Sequence, residues 1–205
     1  MSMVDIKHRF VTARGVRHHV AETGVGPPLV QLHGWPEFWA TWEPIFARLA
    51  NRYRLIAPDF RGSGESENPH PQPTDTVNAA SLAEDIVALP DAMDIDRCGF
   101  VGHDVGSNVV QVLGVRSPKR VTGLFFFNCA THGVGNRWNE LPTRVLWGRH
   151  DPILKSDWAD VLDQYFAEIE VSFAEDAGHL VYYECPELAA RGIDRFFSGL
   201  AQRQT

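Results

Sequence analysis

An aspartate flanked by glycines is the starting point for a catalytic interpretation of this sequence. Asp104 lies in the segment Gly-His-Asp-Val-Gly at 102–106, between an apolar run and a helical pattern. Glycines at this spacing permit a sharp strand-to-helix turn that lifts the central side chain above a sheet. A carboxylate there is ionised at neutral pH and needs no base to attack an electrophilic carbon. Taken alone, the segment predicts an ordinary N-cap aspartate equally well.

Three further features follow other apolar runs. The segment 33–36, which begins with His33, stands where an oxyanion hole would be completed, and Asp151 and His179 each follow a later run. In an open parallel sheet the ligand site lies beyond the carboxyl ends of the strands, so these residues should meet there. Asp104, Asp151 and His179 follow one another in the order nucleophile, acid, histidine. The pattern therefore predicts a catalytic triad.

The chain resembles α/β-hydrolases of the epoxide hydrolase and haloalkane dehalogenase group. The matching segments are HGWPEFW at 33–39, DFRGSGES at 59–66, VGHD at 101–104, LWG at 146–148 with Asp151-Pro152, and Gly178-His179. The first of these is similar to the HGxP motif of epoxide hydrolases, and the second to their D-x-R-G-x-G-x-S motif. The resemblance covers the chain from about Phe10 to Phe197.

The resemblance implies a two-step hydrolysis. Asp104 would attack an electrophilic carbon and form an alkyl ester. His179 would then activate a water molecule that attacks the ester carbonyl, while Asp151 holds the histidine tautomer. The backbone N–H groups of Trp35 and Val105 would stabilise the oxyanion. An epoxide would give a diol, and a haloalkane would give an alcohol and a halide.

Four aromatic residues are expected to line the substrate cleft. They are His33, His103, Trp39 and Trp138. The expected substrate is small and apolar. Neither an HExxH motif nor clustered cysteine and histidine ligands occur, so no metal and no cofactor are expected.

The chain departs from the family between the apolar run ending at Phe127 and the one beginning at Arg144. Family members insert a helical cap there, whereas this chain has only residues 128–142, so we expect a core without a cap domain. Epoxide hydrolases use cap tyrosines to protonate the opening epoxide oxygen, and none of the four tyrosines here falls in that stretch. Weak or altered activity on ordinary epoxides is the expected consequence.

Three alternatives remain open at this point. A haloalkane dehalogenase of this type usually has a halide-binding tryptophan after the nucleophile, whereas this chain has Val105. A promiscuous esterase would rely on water held by His179, since Ser107 is about one helical turn beyond the nucleophile position. The third alternative is a catalytically weak core whose open cleft binds an apolar ligand or a partner.

Apolar runs that alternate with helical patterns predict an α/β fold, here the α/β-hydrolase fold with a mostly parallel sheet and helices on both faces. One core domain over residues 1–205 is expected. The helical pattern from Leu82 to Met93 contains Pro90, which should kink the helix or end it early. A helix is also expected at 158–166.

Composition narrows the function classes further. The chain has 205 residues, with 19 Lys and Arg against 26 Asp and Glu, a net charge of −7 that does not favour nucleic acid. Its three cysteines suit neither a disulfide framework nor a zinc site. No signal peptide and no membrane-spanning run is recognised, so a cytoplasmic location is expected. Tryptophans uncovered by the missing cap lead us to expect a homo-oligomer that closes the cleft.

Overall fold

The computed structural model describes residues 4–69, 77–129 and 140–203. Its strands are β1 Lys7–Ala13, β2 Val16–Thr23, β3 Pro28–Leu32, β4 Arg54–Pro58, β5 Cys98–His103, β6 Val121–Phe127, β7 Thr143–Gly148 and β8 Ile169–Ala174. Its α-helices are α1 Glu43–Leu49, α2 Ala79–Ala92, α3 Val105–Arg116, α4 Val181–Glu184 and α5 Pro186–Gln202. Three 3₁₀ helices span Trp39–Trp42, Pro118–Arg120 and Ser156–Gln164.

The strands form one eight-stranded sheet in the order β1-β2-β4-β3-β5-β6-β7-β8. β1 pairs antiparallel with β2, and β2 pairs antiparallel with β4. All the other neighbours are parallel. This confirms the predicted α/β-hydrolase fold with a mostly parallel sheet. The carboxyl ends of β3, β5, β6, β7 and β8 therefore meet along one edge of the sheet, where the polar residues of interest follow the strands.

Both faces of the sheet are buried, as the continuous apolar strands require. On one face α2 and α3 pack against side chains such as Phe100 and Phe126. On the other face α1 and α5 pack against Phe125 and Phe127. β6 thus contributes aromatic side chains to both layers of the core.

Two predicted helices differ in the structure. α2 continues through Pro90 and ends at Ala92, because a proline this close to the end of a helix removes only one of its last hydrogen bonds. The segment expected as an α-helix at 158–166 is a 3₁₀ helix over Ser156–Gln164. Its buried residues, Ala159 and Leu162, are three positions apart, which matches the three-residue turn of a 3₁₀ helix.

The connection from β6 to β7 consists of residues 128–142. Its middle part, 130–139, lies outside the described residues, and so does the predicted cleft residue Trp138.

Within the described parts of the chain, no helix has both the length and the apolar character needed to cross a bilayer. The cysteines are free, and burial raises the pKa of the Cys98 and Cys129 thiols to about 12.

Candidate active site

Asp104 stands on a sharp turn between β5 and α3. Its backbone is in an unusual conformation, with φ 50° and ψ −116°. A Cβ atom on Gly106 would lie 2.1 Å from the carbonyl oxygen of Leu32, and one on Gly102 would lie 2.7 Å from the carbonyl oxygen of Gly106. Only glycine fits at both positions, so the sequence enforces the turn. The Asp104 side chain makes no capping hydrogen bond to α3, which argues against the simple N-cap interpretation.

The amide of Trp35 contacts the Asp104 carboxylate. It donates a hydrogen bond of 3.2 Å to Oδ1 from the turn that follows β3. Val105 is the first residue of α3, where backbone N–H groups have no acceptor within the helix. Of the two predicted oxyanion amides, that of Val105 follows Asp104 directly in the chain, whereas that of Trp35 comes from a different strand end and donates a hydrogen bond to the Asp104 carboxylate.

His179 lies between the two carboxylates. Its Nε2 is 3.9 Å from Asp104 Oδ2, and its Nδ1 donates to Asp151 Oδ2 at 2.8 Å. Because the Nδ1 proton is engaged by Asp151, Nε2 is the nitrogen that faces Asp104. Burial by itself would lower the pKa of His179, but the hydrogen bond and charge of Asp151, followed by the charges of Asp104 and Glu37, raise it above its usual value.

The Asp151 side chain is fully enclosed by donors. The amides of Ile153 and Leu154 donate to Oδ1 at 2.8 and 2.9 Å, while Oδ2 accepts from His179 and from the Asn128 side chain. Burial favours the neutral acid, yet these hydrogen bonds hold the pKa of Asp151 below its usual value. An ionised carboxylate is what the orientation of a histidine base requires.

Asn128 is a site residue that the sequence pattern does not predict. It follows β6 with a φ of 44°, and its Nδ2 also lies 3.1 and 3.3 Å from the carbonyl oxygens of Gly178 and His179. Its Oδ1 accepts from the Gly148 amide at 2.9 Å. The sequence rule that functional residues directly follow apolar strands could have identified Asn128, because this residue directly follows the almost entirely apolar strand β6.

Glu37 is a second residue absent from the predictions. Its carboxylate accepts from the Gly34 amide at 2.6 Å, from Thr41 Oγ1 at 2.9 Å and from the Tyr182 hydroxyl at 2.5 Å. His103 Nδ1 lies 3.0 Å from the same carboxylate. Burial opposes ionisation of Glu37, but His103, Tyr182 and the Gly34 amide lower its pKa to about 2.

Two of the predicted cleft residues are buried in the protein. His33 accepts from the Phe60 amide through Nε2 at 3.1 Å and donates from Nδ1 to the Gly34 carbonyl at 2.8 Å. His103 is also buried, and its Nε2 donates to the carbonyl oxygen of His179 at 3.0 Å. Both rings bond to protein groups through both nitrogens, so they brace the loops around the site instead of offering a polar group to a substrate.

Trp39 is partly buried against the first hairpin. Its indole packs edge-on against His8, with ring centroids 4.8 Å apart, and its amide donates to Asp59 Oδ1 at 2.7 Å. Trp35 is different, because 79% of this residue is exposed to solvent while its amide contacts Asp104. Trp35 therefore provides an exposed aromatic surface beside Asp104. Among the described residues, no group of three or more metal-ligating side chains converges.

Comparison with known proteins identifies the fold family. Residues 27–131 match the model of a family described as the alpha/beta hydrolase fold. An epoxide hydrolase 2 from Siraitia grosvenorii is 37% identical over 123 residues, which cover 60% of this chain and 38% of that protein. A soluble epoxide hydrolase from Corynebacterium sp. (strain C12) is 34% identical over 124 residues, 60% of this chain and 42% of that protein. The chain thus matches about two fifths of these relatives' length.

Solved structures share the fold at low sequence identity. The crystal structure of an epoxide hydrolase from Vigna radiata superposes with a TM-score of 0.88 at 20% identity, covering 97% of this chain and 100% of that one. A thermophilic esterase from Thermogutta terrifontis superposes with a TM-score of 0.85 at 16% identity, covering 95% and 99%. Identity this low supports the fold alone, and the two proteins are named for different activities.

Proposed function

Because this chain belongs to the α/β-hydrolase fold family, we propose that it is a hydrolase in which Asp104 attacks an electrophilic carbon and that epoxides are its substrate class. One observation carries the proposal. The Asp104 carboxylate lies between the Trp35 amide at 3.2 Å and His179 Nε2 at 3.9 Å. A carboxylate nucleophile, an amide donor and a histidine base are the groups needed to form an alkyl ester and then hydrolyse it. The similarity to named epoxide hydrolases supports the substrate class.

In the first step Asp104 would act as the nucleophile. One of its carboxylate oxygens forms a bond to an epoxide carbon, and the carbon–oxygen bond of the ring breaks with its electron pair on the oxygen. The resulting alkoxide takes a proton from water at the open site. The Tyr182 hydroxyl is a poor donor for this step, since it donates to Glu37, and burial together with the charge of Glu37 raises the pKa of Tyr182.

In the second step His179 would act as the base. Its Nε2 takes a proton from water, and the hydroxide oxygen adds to the carboxyl carbon of Asp104. The amides of Trp35 and Val105 hold the oxyanion that forms. The ester bond to the alkyl oxygen then breaks, the leaving oxygen receives the proton from His179, and a diol is released. Asp104 is left as a carboxylic acid that holds one oxygen atom from water, and its proton neutralises the hydroxide formed in the first step, which restores the carboxylate.

Asp151 would keep His179 productive in this step. Its carboxylate accepts the Nδ1 proton, which leaves Nε2 free to take a proton, and it stabilises the imidazolium that forms. The carboxylate stays ionised because two backbone amides and the Asn128 side chain also donate to it.

Intact-mass measurement tests the proposed nucleophile. His179→Gln is incubated with a panel of small epoxides, haloalkanes and esters, since this variant loses the base for the second step but keeps Asp104. A mass gain equal to the intact epoxide is expected, and Asp104→Asn should show none. An adduct formed only by haloalkanes, with halide release, would assign a dehalogenase instead. Ester turnover that survives Asp104→Asn, with no adduct from any compound, would contradict the proposal.

An oxygen label checks the second step. The wild-type protein is allowed one turnover of an epoxide in H₂¹⁸O and is then digested. The peptide containing Asp104 should be heavier by one ¹⁸O atom, because water attacks the carboxyl carbon. If the label appeared only in the diol after one turnover, water would have attacked the substrate directly and Asp104 would not be the nucleophile.

A further inference from the structure

A cavity of about 400 Å³ lies between α5 and the strands β7 and β8. Leu146 and Gly192 belong to its lining, and a Cβ atom on Gly192 would lie 3.8 Å from the Leu146 side chain, so α5 approaches β7 closely here. A volume of this size falls within the range of small-molecule sites. The charges of the lining residues therefore decide which class of molecule the cavity suits.

Three arginines line this cavity. Arg191 and Arg195 are four positions apart on α5, so they lie on the same face of the helix. Arg144 reaches the cavity from β7, where it shares a face of the strand with Leu146 because alternate residues point to the same side. Leu146 packs in the core layer that contains α5. The cavity is therefore lined by cationic side chains from two packed elements.

The acidic residue in this lining is bonded to other partners. Asp194 accepts from Arg52 Nη1 and from the Tyr53 hydroxyl, each at 2.9 Å. Both donors come from the segment after α1 and lie outside the lining of the cavity. The charge of Asp194 is therefore compensated by Arg52 and not by the arginines of the cavity.

The two arginines of α5 have no such compensation. In the part of the chain that the structure describes, neither Arg191 nor Arg195 forms an ion pair with a carboxylate. Glu187 precedes Arg191 by one helical turn, but it accepts from Arg48 Nε at 3.2 Å. The whole chain has a net charge of −7, so two neighbouring cations without a carboxylate partner are an exception on this protein and favour an anionic ligand.

Arg144 adds a buried charge to the same lining. The residue is only 9% exposed. Its Nη1 pairs with Glu170 Oε1 at 2.7 Å, whereas its buried Nε has no hydrogen-bond partner among the described residues. Burial of a guanidinium is costly unless its charge and its N–H groups are well compensated. An anion in the cavity would place a second negative charge beside this group and reduce that cost.

We propose that this cavity binds an oxyanion with two or more negative charges, such as a phosphate group or a polycarboxylate, through Arg144, Arg191 and Arg195. Guanidinium groups donate paired hydrogen bonds to phosphate and carboxylate oxygens, which favours oxyanions over chloride. Arg144 is the second residue of β7, whereas the candidate active site follows the end of that strand at Gly148. The proposal is therefore independent of the chemistry at Asp104.

Calorimetric titration of the full chain with inorganic phosphate, citrate and acetate tests the proposal at pH 7 and constant ionic strength. Arg191→Gln and Arg195→Gln each remove one cation from an exposed position, so both variants should fold. Arg116→Gln is the matched control, because Arg116 is an exposed helical arginine that pairs with Glu84 far along the chain from α5. Acetate carries a single charge and tests whether two are needed.

We expect phosphate or citrate to bind at one site per chain and acetate to bind more weakly. Arg191→Gln and Arg195→Gln should each weaken binding by about 10-fold, the usual effect of losing one hydrogen bond to a charged group. Arg116→Gln should leave the Kd unchanged. Tighter binding of phosphate would assign a phosphate group as the ligand, and tighter binding of citrate would assign a polycarboxylate.

NMR of the arginine Nε–H groups locates the bound anion. The signal of Arg144, assigned with Arg144→Lys, should shift when the tighter-binding anion is added. If this signal did not move while binding was measured, the site would not be this cavity.

Two calorimetric results would also overturn the proposal. One is a folded wild-type protein that binds neither phosphate nor citrate at concentrations up to about 10 mM. The other is a loss of affinity in Arg116→Gln as large as that in Arg195→Gln, which would show that the anions respond only to the net charge of the protein.

Discussion

Asn128 and Asp151 come from the ends of two neighbouring strands, and their side chains meet at one oxygen atom. The Asn128 amide donates to Asp151 Oδ2, the oxygen that also accepts the Nδ1 proton of His179. The same amide lies within 3.3 Å of the His179 carbonyl oxygen. A single side chain therefore orients the Asp151 carboxylate and holds the loop that carries His179.

Replacing Asn128 should slow the hydrolytic step. Asn128→Ala leaves the Gly148 amide without its acceptor and removes a donor from Asp151 Oδ2, so the His179 loop should shift. We expect about 100-fold slower decay of the alkyl-enzyme and a loss of about 1–3 kcal/mol in the free energy of unfolding. Quenched-flow mass measurements and urea titration measure the two effects.

Ser172→Ala is the matched control for Asn128→Ala, since Ser172 makes one long hydrogen bond within the sheet. Alkyl-enzyme decay that is as fast in Asn128→Ala as in the wild type would show that the amide has no role in hydrolysis.

The pH dependence of hydrolysis should report His179. Its pKa is raised, so the neutral base form is lost as pH falls through a value above 6.5, and activity should fall with it. Asp151→Asn removes the main cause of that raised pKa, so the acid limb should move to lower pH. The rate at pH 8 should fall by about 10⁴-fold because the tautomer is no longer held. Initial rates between pH 5 and 9 give the profile, and an acid limb that does not move in Asp151→Asn would contradict this assignment.

The turn at Asp104 should tolerate no side chain at position 106. A Cβ atom there would lie 2.1 Å from the Leu32 carbonyl oxygen, which belongs to the backbone and cannot rotate away. Gly106→Ala should cost about 2–3 kcal/mol of unfolding free energy and abolish adduct formation at Asp104.

The control for this prediction is Gly199→Ala in α5. A Cβ atom at that position meets nothing within 4 Å, so alanine should stabilise the helix by up to about 1 kcal/mol. Urea titration measures the free energy of unfolding of both variants. If Gly106→Ala were as stable as the wild type, the turn would have to relax around the added Cβ atom.

Acid should destabilise the fold through His33. Burial lowers the pKa of this histidine below 6.5, so the unfolded chain binds a proton that the folded protein does not. The stability associated with neutral His33 is therefore present above pH 6.5 and decreases as pH falls below it. His33→Gln removes this titration and should flatten the dependence of Tm on pH between 7 and 5.

His150→Gln is the control for His33→Gln, because His150 is exposed. Calorimetry at matched ionic strength measures both. If Tm depended on pH in His33→Gln as it does in the wild type, the acid sensitivity would come from other groups. The buried His18 is one such group, because burial lowers its pKa as well.

The strands, and the meeting of Asp104, Asp151 and His179 at the strand ends, could be predicted because their signals are local. β3 and β6 have the bounds that their apolar runs predict, since a strand buried on both faces must be apolar throughout. Asp104, Asp151 and His179 follow strand ends in the expected order, and the structure brings their side chains together. The sequence predicts an α-helix at 158–166 where the structure has a 3₁₀ helix over Ser156–Gln164, because both kinds of helix have apolar residues at short spacing.

The sequence by itself determined the parallel sheet, the glycine turn at Asp104 and which residues stand at the strand ends, because each follows from short-range sterics and apolar pattern. Only the tertiary structure decided that Asn128 supports Asp151, that His33 and His103 face protein groups, and that Glu37 meets Tyr182 and His103. Glu37 and Tyr182 are 145 positions apart in the chain. Such contacts depend on how strands and loops pack in three dimensions, and a hydrogen bond between distant residues leaves no periodic trace in one sequence.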